Sequence, residues 1–188
     1  MTLTYPELAA QQKNSEDMFR DLENGLVLEN GNRIVTFTIK TYQAFVDKVA
    51  VLAGPRVAQT LLYQMGNEMG RTGFSYSKEA VRSLRDAWKV FDGVLAYRGW
   101  GRCIELREKV HDNSVTFVVT TKGCPLCDDR RSYVPRCDVL RGVATGWLEA
   151  FLGKKAKSSI ETDCAAVRNQ HCIFEISFDN QEEEEAHH

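Results

Sequence analysis

The spacing of apolar residues along this chain switches repeatedly between a period of two and a period near 3.6, and each switch predicts a change of element. Arg33 to Ile39 alternates, with Val35, Phe37 and Ile39 on one side and Thr36 and Thr38 on the other, the pattern of a half-buried strand. Thr41 is placed to cap a helix whose apolar stripe is Tyr42, Phe45, Val46 and Val49, stopped at Gly54-Pro55. A second helix is predicted from Pro55 to about Arg71, with Val57, Leu61, Met65 and Met69 on one face and a stripe of Gly66, Gly70 and Gly73 beside it. Ser77 opens a third, carrying Val81, Leu84, Trp88 and Phe91 at helical spacing, with Gly93 as its stop.

After Gly99-Trp100-Gly101 the period falls to two. Cys103 to Glu108 and Val115 to Thr120 read as a hairpin turning at His111-Asp112-Asn113. Cys137 to Leu152 returns to helical spacing through Leu140, Val143, Trp147 and Phe151. Ser158 to Thr162 and Cys172 to Phe178 form a last strand pair. Helices in blocks and strands in hairpins predict an α+β domain with a mostly antiparallel sheet and helices packed on it. The first thirty residues are polar apart from a short helical stretch around Met18 to Leu22, so the domain is placed at 31–179, between a 1–30 extension and a 180–188 tail.

Charge adds little. Of 26 acids against 24 bases, four are Glu182 to Glu185 in the tail, ahead of His187 and His188. The body is near neutral, with no clustered basic face for nucleic acid. The N-terminal segment lacks the basic and apolar blocks of a secretory signal and no apolar run is long enough to span a bilayer, which predicts a cytoplasmic chain. Six cysteines are many for such a compartment, and they favour metal or thiol chemistry over disulfides.

Cys137, Glu161, Cys164 and Cys172 are the first candidate site. Cys137 opens a helix, Glu161 and Cys164 end a strand, and Cys172 begins the next on the same side as Phe174, Ile176 and Phe178. Three thiolates and a carboxylate suit a closed, structural tetrahedral zinc. Buried core thiols explain the same spacing. Cys124-Pro125-Leu126-Cys127 is a second, separate feature: an exposed reducible thiol pair, or part of another metal site that would displace the first assignment. The glycine stripe reads as close helix packing rather than a phosphate loop, as do Gly142 and Gly146. Trp88, Phe91, Tyr97, Trp100, Phe74 and Trp147 gather enough aromatic surface to line a pocket for a flat apolar ligand, or to fill a core. His111 marks a turn and His171 points away from Cys172. No Ser-His-Asp or Cys-His arrangement, dinucleotide fingerprint or P-loop is present.

The segments Cys137-Asp138-Val139-Leu140-Arg141-Gly142, Gly146-Trp147, Glu161-Thr162-Asp163-Cys164-Ala165-Ala166 and Cys172-Ile173-Phe174 resemble the signature of the 4-vinyl-reductase domain family. Leu62 to Gly70 and Gly99-Trp100-Gly101-Arg102 are similar to that family's helix and strand-entry motifs, so the likeness runs from Val35 to Phe178. It departs at Arg168, where the family carries glycine and where Asn169 is the residue suited to a left-handed turn. The resemblance implies the fold shared with vesicle-tethering (TRAPP-like) proteins, zinc at Cys137, Glu161, Cys164 and Cys172, and homodimers. It also implies a hydrophobic ring ligand: an aromatic effector, a tetrapyrrole or a bilin. Sensing, pigment binding and assembly-factor roles in bacteriochlorophyll synthesis all occur in such a family. Binding ranks ahead of catalysis, because the rival reading, reduction of a tetrapyrrole vinyl group, needs a cofactor motif that the sequence lacks. A tethering scaffold with an empty pocket is the third reading.

Overall fold

The computed structural model describes residues 18–21, 26–29, 32–111, 113–127, 130–167 and 171–180. Asp112, Arg168, Asn169 and the glutamate tail, all singled out above, lie outside them. The chain divides into two compact units, Met1–Thr38 and Ile39–His188. The first carries an antiparallel meander of β1 (Met18–Asp21), β2 (Leu26–Glu29) and β3 (Asn32–Arg33). Met18 to Asp21 is thus a strand, not the start of a helix. So short a segment cannot nucleate a helix by itself, whereas pairing with β2 satisfies its backbone. The alternation after Arg33 is not a continuing strand either. Ile34 N–H still reaches Val27 O at 2.9 Å, but no strand continues past Arg33, Val35 and Phe37 are exposed, and helix begins at Ile39.

The second unit runs α1 (Ile39–Ala53), α2 (Pro55–Ser75), a 3-10 turn at Lys78–Ala80, α3 (Leu84–Tyr97), β4 (Arg102–His111), β5 (Ser114–Lys122), α4 (Asp138–Leu152), β6 (Ser158–Asp163) and β7 (Cys172–Asp179). Its sheet is antiparallel throughout, in the order β4-β5-β7-β6. The architecture is the α+β arrangement that the periodicity predicts.

Thr41, expected to cap the first helix, lies inside α1, and both boundaries of α3 also differ from expectation. Ser83, not Ser77, caps α3, its hydroxyl accepting the Asp86 N–H at 3.2 Å. Nor does α3 stop at Gly93. It continues to Tyr97 and closes at Gly99, φ +72, where Gly99 N–H reaches Ala96 O at 3.2 Å and Trp100 N–H reaches Leu95 O at 2.8 Å. That 6→1 and 5→2 pair is a Schellman ending, and Gly99 supplies its left-handed residue.

The core lies between the sheet and α4. Cys172, Phe174, Ile176 and Phe178 alternate inward along β7, opposite Thr121, Val119, Phe117 and Val115 of β5. Above them, α4 is buried almost all round, from Val139 to Glu149. Its other side meets α2 backbone to backbone. A Cβ on Gly66 or Gly70 would overlap the Val139 or Val143 carbonyl, and one on Gly142 or Gly146 would overlap the Tyr63 or Asn67 carbonyl. Four glycines therefore set the crossing, at roughly 1 kcal/mol each in helix propensity. Beside them the buried Glu149 accepts from Asn67 and Arg71 of α2 and from Lys155 and the Ala156 N–H.

Candidate metal centre and apolar cleft

The tight α2–α4 crossing fixes where the two ends of α4 project. Cys137 precedes its first turn. The Glu161 carboxylate, on β6, accepts the Cys137 N–H at 2.9 Å and so ties the helix start to the sheet edge. Strands β6 and β7 then bring Cys164 and Cys172 to the same point, with the Cys137 sulfur 3.9 Å from Cys164 and 3.4 Å from Cys172. The β6–β7 register shifts between Glu161 and Asp163, a bulge immediately before Cys164.

The four residues picked out by spacing therefore converge, their ligand atoms all within 4.8 Å of one another. They are not alone. Cys124 and Cys127 join the same cluster, and Cys124, Cys127, Cys137 and Cys172 form a second group within that reach. Cys124 lies 3.3 Å and Cys127 3.2 Å from Cys137. An exposed thiol pair is not what the fold makes of them: Cys124 is 2% exposed and Cys127 half-buried. Their C-x-x-C spacing was visible in the chain; their nearness to Cys137 depends on the path from β5 to α4, which no local pattern reports. Cys103, the sixth cysteine, is buried apart from the cluster with its sulfur 3.3 Å from Thr120 O.

Packing five sulfurs together makes their protons interdependent. Contacts with Cys124, then with Cys137, Cys164 and Cys172, hold the Cys127 thiol well below its ordinary range. The same neighbourhood, Cys124 first, pushes Cys137 up. Burial, and after it the neighbouring Cys164, raises Glu161 to about 9. Its second oxygen is buried without a hydrogen-bond partner. A cluster of soft donors that cannot all ionise without a compensating cation, beside an unpartnered carboxylate oxygen, is well suited to a divalent metal. The site fits a structural ion: it is buried, thiolate-rich and offers more than the four donors required.

Towards the other end of α4, Leu84, Ala87, Trp88 and Phe91 of α3, Val119 of β5, and Ala144, Trp147 and Leu148 of α4 line a narrow apolar cleft with free space for about one water molecule. Phe91 and Trp147 have ring centroids 5.3 Å apart, and Trp88 stands 5.6 Å from Phe91. The Trp147 indole N–H is spent on Ala87 O at 3.1 Å, so Trp147 offers the cleft no free donor. Of the six aromatics expected at a pocket, Trp88, Phe91 and Trp147 line the cleft. Phe74 backs it, edge-on to Trp147 at 5.4 Å. Tyr97 is exposed, and Trp100 packs edge-on to Tyr42, 5.2 Å away. Ala87, Ala144 and Leu148 were not foreseen, because small and aliphatic wall residues carry no signal of their own.

No family model matches the sequence, and no curated protein does. Solved structures match by shape. The phenol-responsive sensory domain of the transcription activator PoxR, crystallised with phenol, superposes with a TM-score of 0.72 over 93% of this chain and 91% of its own, at 15% identity. A vinyl-4-reductase family protein from Methanocaldococcus jannaschii gives 0.52 over 79% and 85%, at 14% identity. A trafficking protein particle complex subunit 3 from Naegleria fowleri, covalently bound to palmitic acid, superposes only loosely, at 0.47 and 15% identity. The fold that the sequence resemblance implies, the 4-vinyl-reductase fold, is the fold this chain adopts.

Proposed function

We propose that this chain is a zinc-stabilised domain that binds a small aromatic ring, acting as a binding or sensing module. The observation that carries the reading is the cleft: three aromatic side chains and five aliphatic ones between α3 and α4, with no free polar group on the indole facing it. Its position in a fold that also serves a phenol-responsive sensory domain supports the assignment. The cleft as it stands has free space for about one water molecule, so a ring enters by displacing side chains of its wall, which favours a single ring over a tetrapyrrole or bilin.

Zinc is the ion best suited to the centre, where Cys137, Cys164 and Cys172 provide three thiolates and either Glu161 or Cys127 the fourth donor. A zinc with four protein ligands holds the start of α4 to the β6–β7 hairpin and performs no chemistry of its own. Phe45, Leu52, Val57 and Leu61 on α1 and α2 are exposed, an apolar face suited to a second copy of the chain. Among the described residues no helix is long and apolar enough to cross a membrane.

Titrating the protein with toluene, phenol and a bilin while following tryptophan fluorescence tests the binding reading. Saturable one-to-one quenching by the single rings is expected, with none by the bilin. Ala144→Leu, which fills the cleft, should abolish the response while leaving the metal content unchanged. Failure of every single-ring compound to bind would move the chain to a scaffold role.

A further inference from the structure

The start of α4 gathers six donor side chains, and they fall into two overlapping groups of four. Cys137, Glu161, Cys164 and Cys172 form one and Cys124, Cys127, Cys137 and Cys172 the other, each with its ligand atoms within 4.8 Å of one another. Cys137 and Cys172 belong to both. With a first ion on the group that contains Glu161, Cys124 and Cys127 are left as a pair of thiols touching one of its ligands, 3.3 Å and 3.2 Å from the Cys137 sulfur.

We propose that this pair completes a second metal site, in which a divalent thiophilic ion such as zinc is held by Cys124 and Cys127 and shares the Cys137 and Cys172 thiolates with the first ion. The proposal rests on the metal reading above, with Glu161 as a donor to the first ion, and adds an ion that the first site does not need.

The sulfur positions fit a shared pair. Four thiolates about 2.3 Å from a tetrahedral ion lie about 3.8 Å from one another. Two ions bridged by one pair of sulfurs repel each other across it, and drawing the bridging sulfurs together screens that repulsion. Cys137 and Cys172 are 3.4 Å apart, whereas Cys137 and Cys164, a bridging and a terminal sulfur, are 3.9 Å apart. A tight turn, with Cys127 N–H on Cys124 O at 3.0 Å, keeps the two remaining sulfurs within reach of one ion. One contact has to lengthen. Cys127 is 3.6 Å from Cys164, closer than terminal ligands of different ions sit. Cys127 is half-buried where the other four cysteines of the cluster are buried, so it is the sulfur with room to move outward.

Charge supports a second ion as well. One divalent ion on three thiolates and a carboxylate leaves a surplus of two negative charges beside two protonated thiols. A second ion displaces those two protons, and six anionic donors around two divalent ions leave the same surplus. The site therefore gains an ion without gaining buried charge. The Tyr42 hydroxyl, buried without a hydrogen-bond partner and close enough to feel the charge of Cys124 and Cys137, is a donor available to the added thiolate. Because bridging thiolates divide their charge between two ions, the second ion is held more weakly. The chain as isolated keeps the first, and the second enters when zinc is supplied in excess.

Native mass spectrometry and X-ray absorption on the full chain, loaded with excess zinc, test the proposal. The expected result is two zincs per chain separated by no more than about 4 Å, one of them released by a chelator before the other. Cys124→Ser and Cys127→Ser should each remain folded, stop at one zinc and lose the short zinc–zinc distance. Saturation of the unsubstituted chain at one zinc, with Cys124 and Cys127 free or joined in a disulfide, would overturn the proposal. So would a second zinc that persists when both are replaced by serine, which would place it elsewhere, as at His187 and His188. A folded chain that takes up no zinc at all would instead overturn the metal reading on which the proposal rests.

Discussion

The two ends of α4 solve opposite problems. At its start six side chains able to ligate a metal crowd together, more than the four that a tetrahedral ion takes. At its far half a narrow cleft is lined by apolar side chains, with the Trp147 N–H already satisfied. Polar crowding suits a fixed ion, and an apolar hollow suits the small ring proposed above. One helix carries both because α2 clamps its middle through the four-glycine crossing.

If that division of labour is right, damage at the metal end should spread to the cleft while damage at the cleft stays local. Cys172→Ser should have the largest effect. Structural zinc contributes folding free energy of order ~10 kcal/mol in small metal domains. Loss of metal by elemental analysis, a collapsed melting temperature and loss of aromatic binding should therefore appear together. An unchanged melting temperature would separate the two ends.

The clamp between them comes next. Gly146→Ala places a methyl group against the Asn67 carbonyl and should cost about 3 kcal/mol by urea denaturation, the upper end of ordinary overpacking. Gly93→Ala is its control: nothing lies within 4 Å of a Cβ there, and the helix should gain about 1 kcal/mol. Equal effects at the two sites would mean that the crossing is not as close as described.

A smaller effect is expected where Glu149 ties α2 to α4. Burial acts to raise its pKa, but the Ala156 N–H, Asn67 and Lys155 outweigh burial and hold it below the ordinary carboxylate value. Its stabilisation is therefore complete above the unfolded pKa of about 4.3 and is lost as pH falls through the lower folded value. Glu149→Gln should cost about 2 kcal/mol at pH 7, and less near pH 3, in paired urea melts. A constant difference across that range would remove the charge from the account.

Much of this was written locally in the chain. The inward side of β7 follows from the alternation of Cys172, Phe174, Ile176 and Phe178, and α4 from the spacing of Leu140, Val143 and Trp147. The glycines of α2 and α4 announced close packing because helices otherwise avoid them. What could not be read was long-range. Val35 and Phe37 alternate like a strand, yet whether a ladder partner exists is decided elsewhere in the fold. Gly93 and Gly99 are alike as letters, and only the backbone shows which one takes a positive φ. Trp100 meets Tyr42 instead of the cleft because the turn after α3 carries it away. Cys127 reaches the cysteine cluster only because the connection from β5 folds back onto Cys137, a proximity that no spacing rule contains.

Native mass spectrometry of the chain, purified without chelator and then exposed to phenol, tests the central claim most directly. The account predicts one zinc per chain, together with a phenol adduct that disappears when the zinc is removed. A folded, metal-free chain that still binds phenol with the same melting temperature would contradict it.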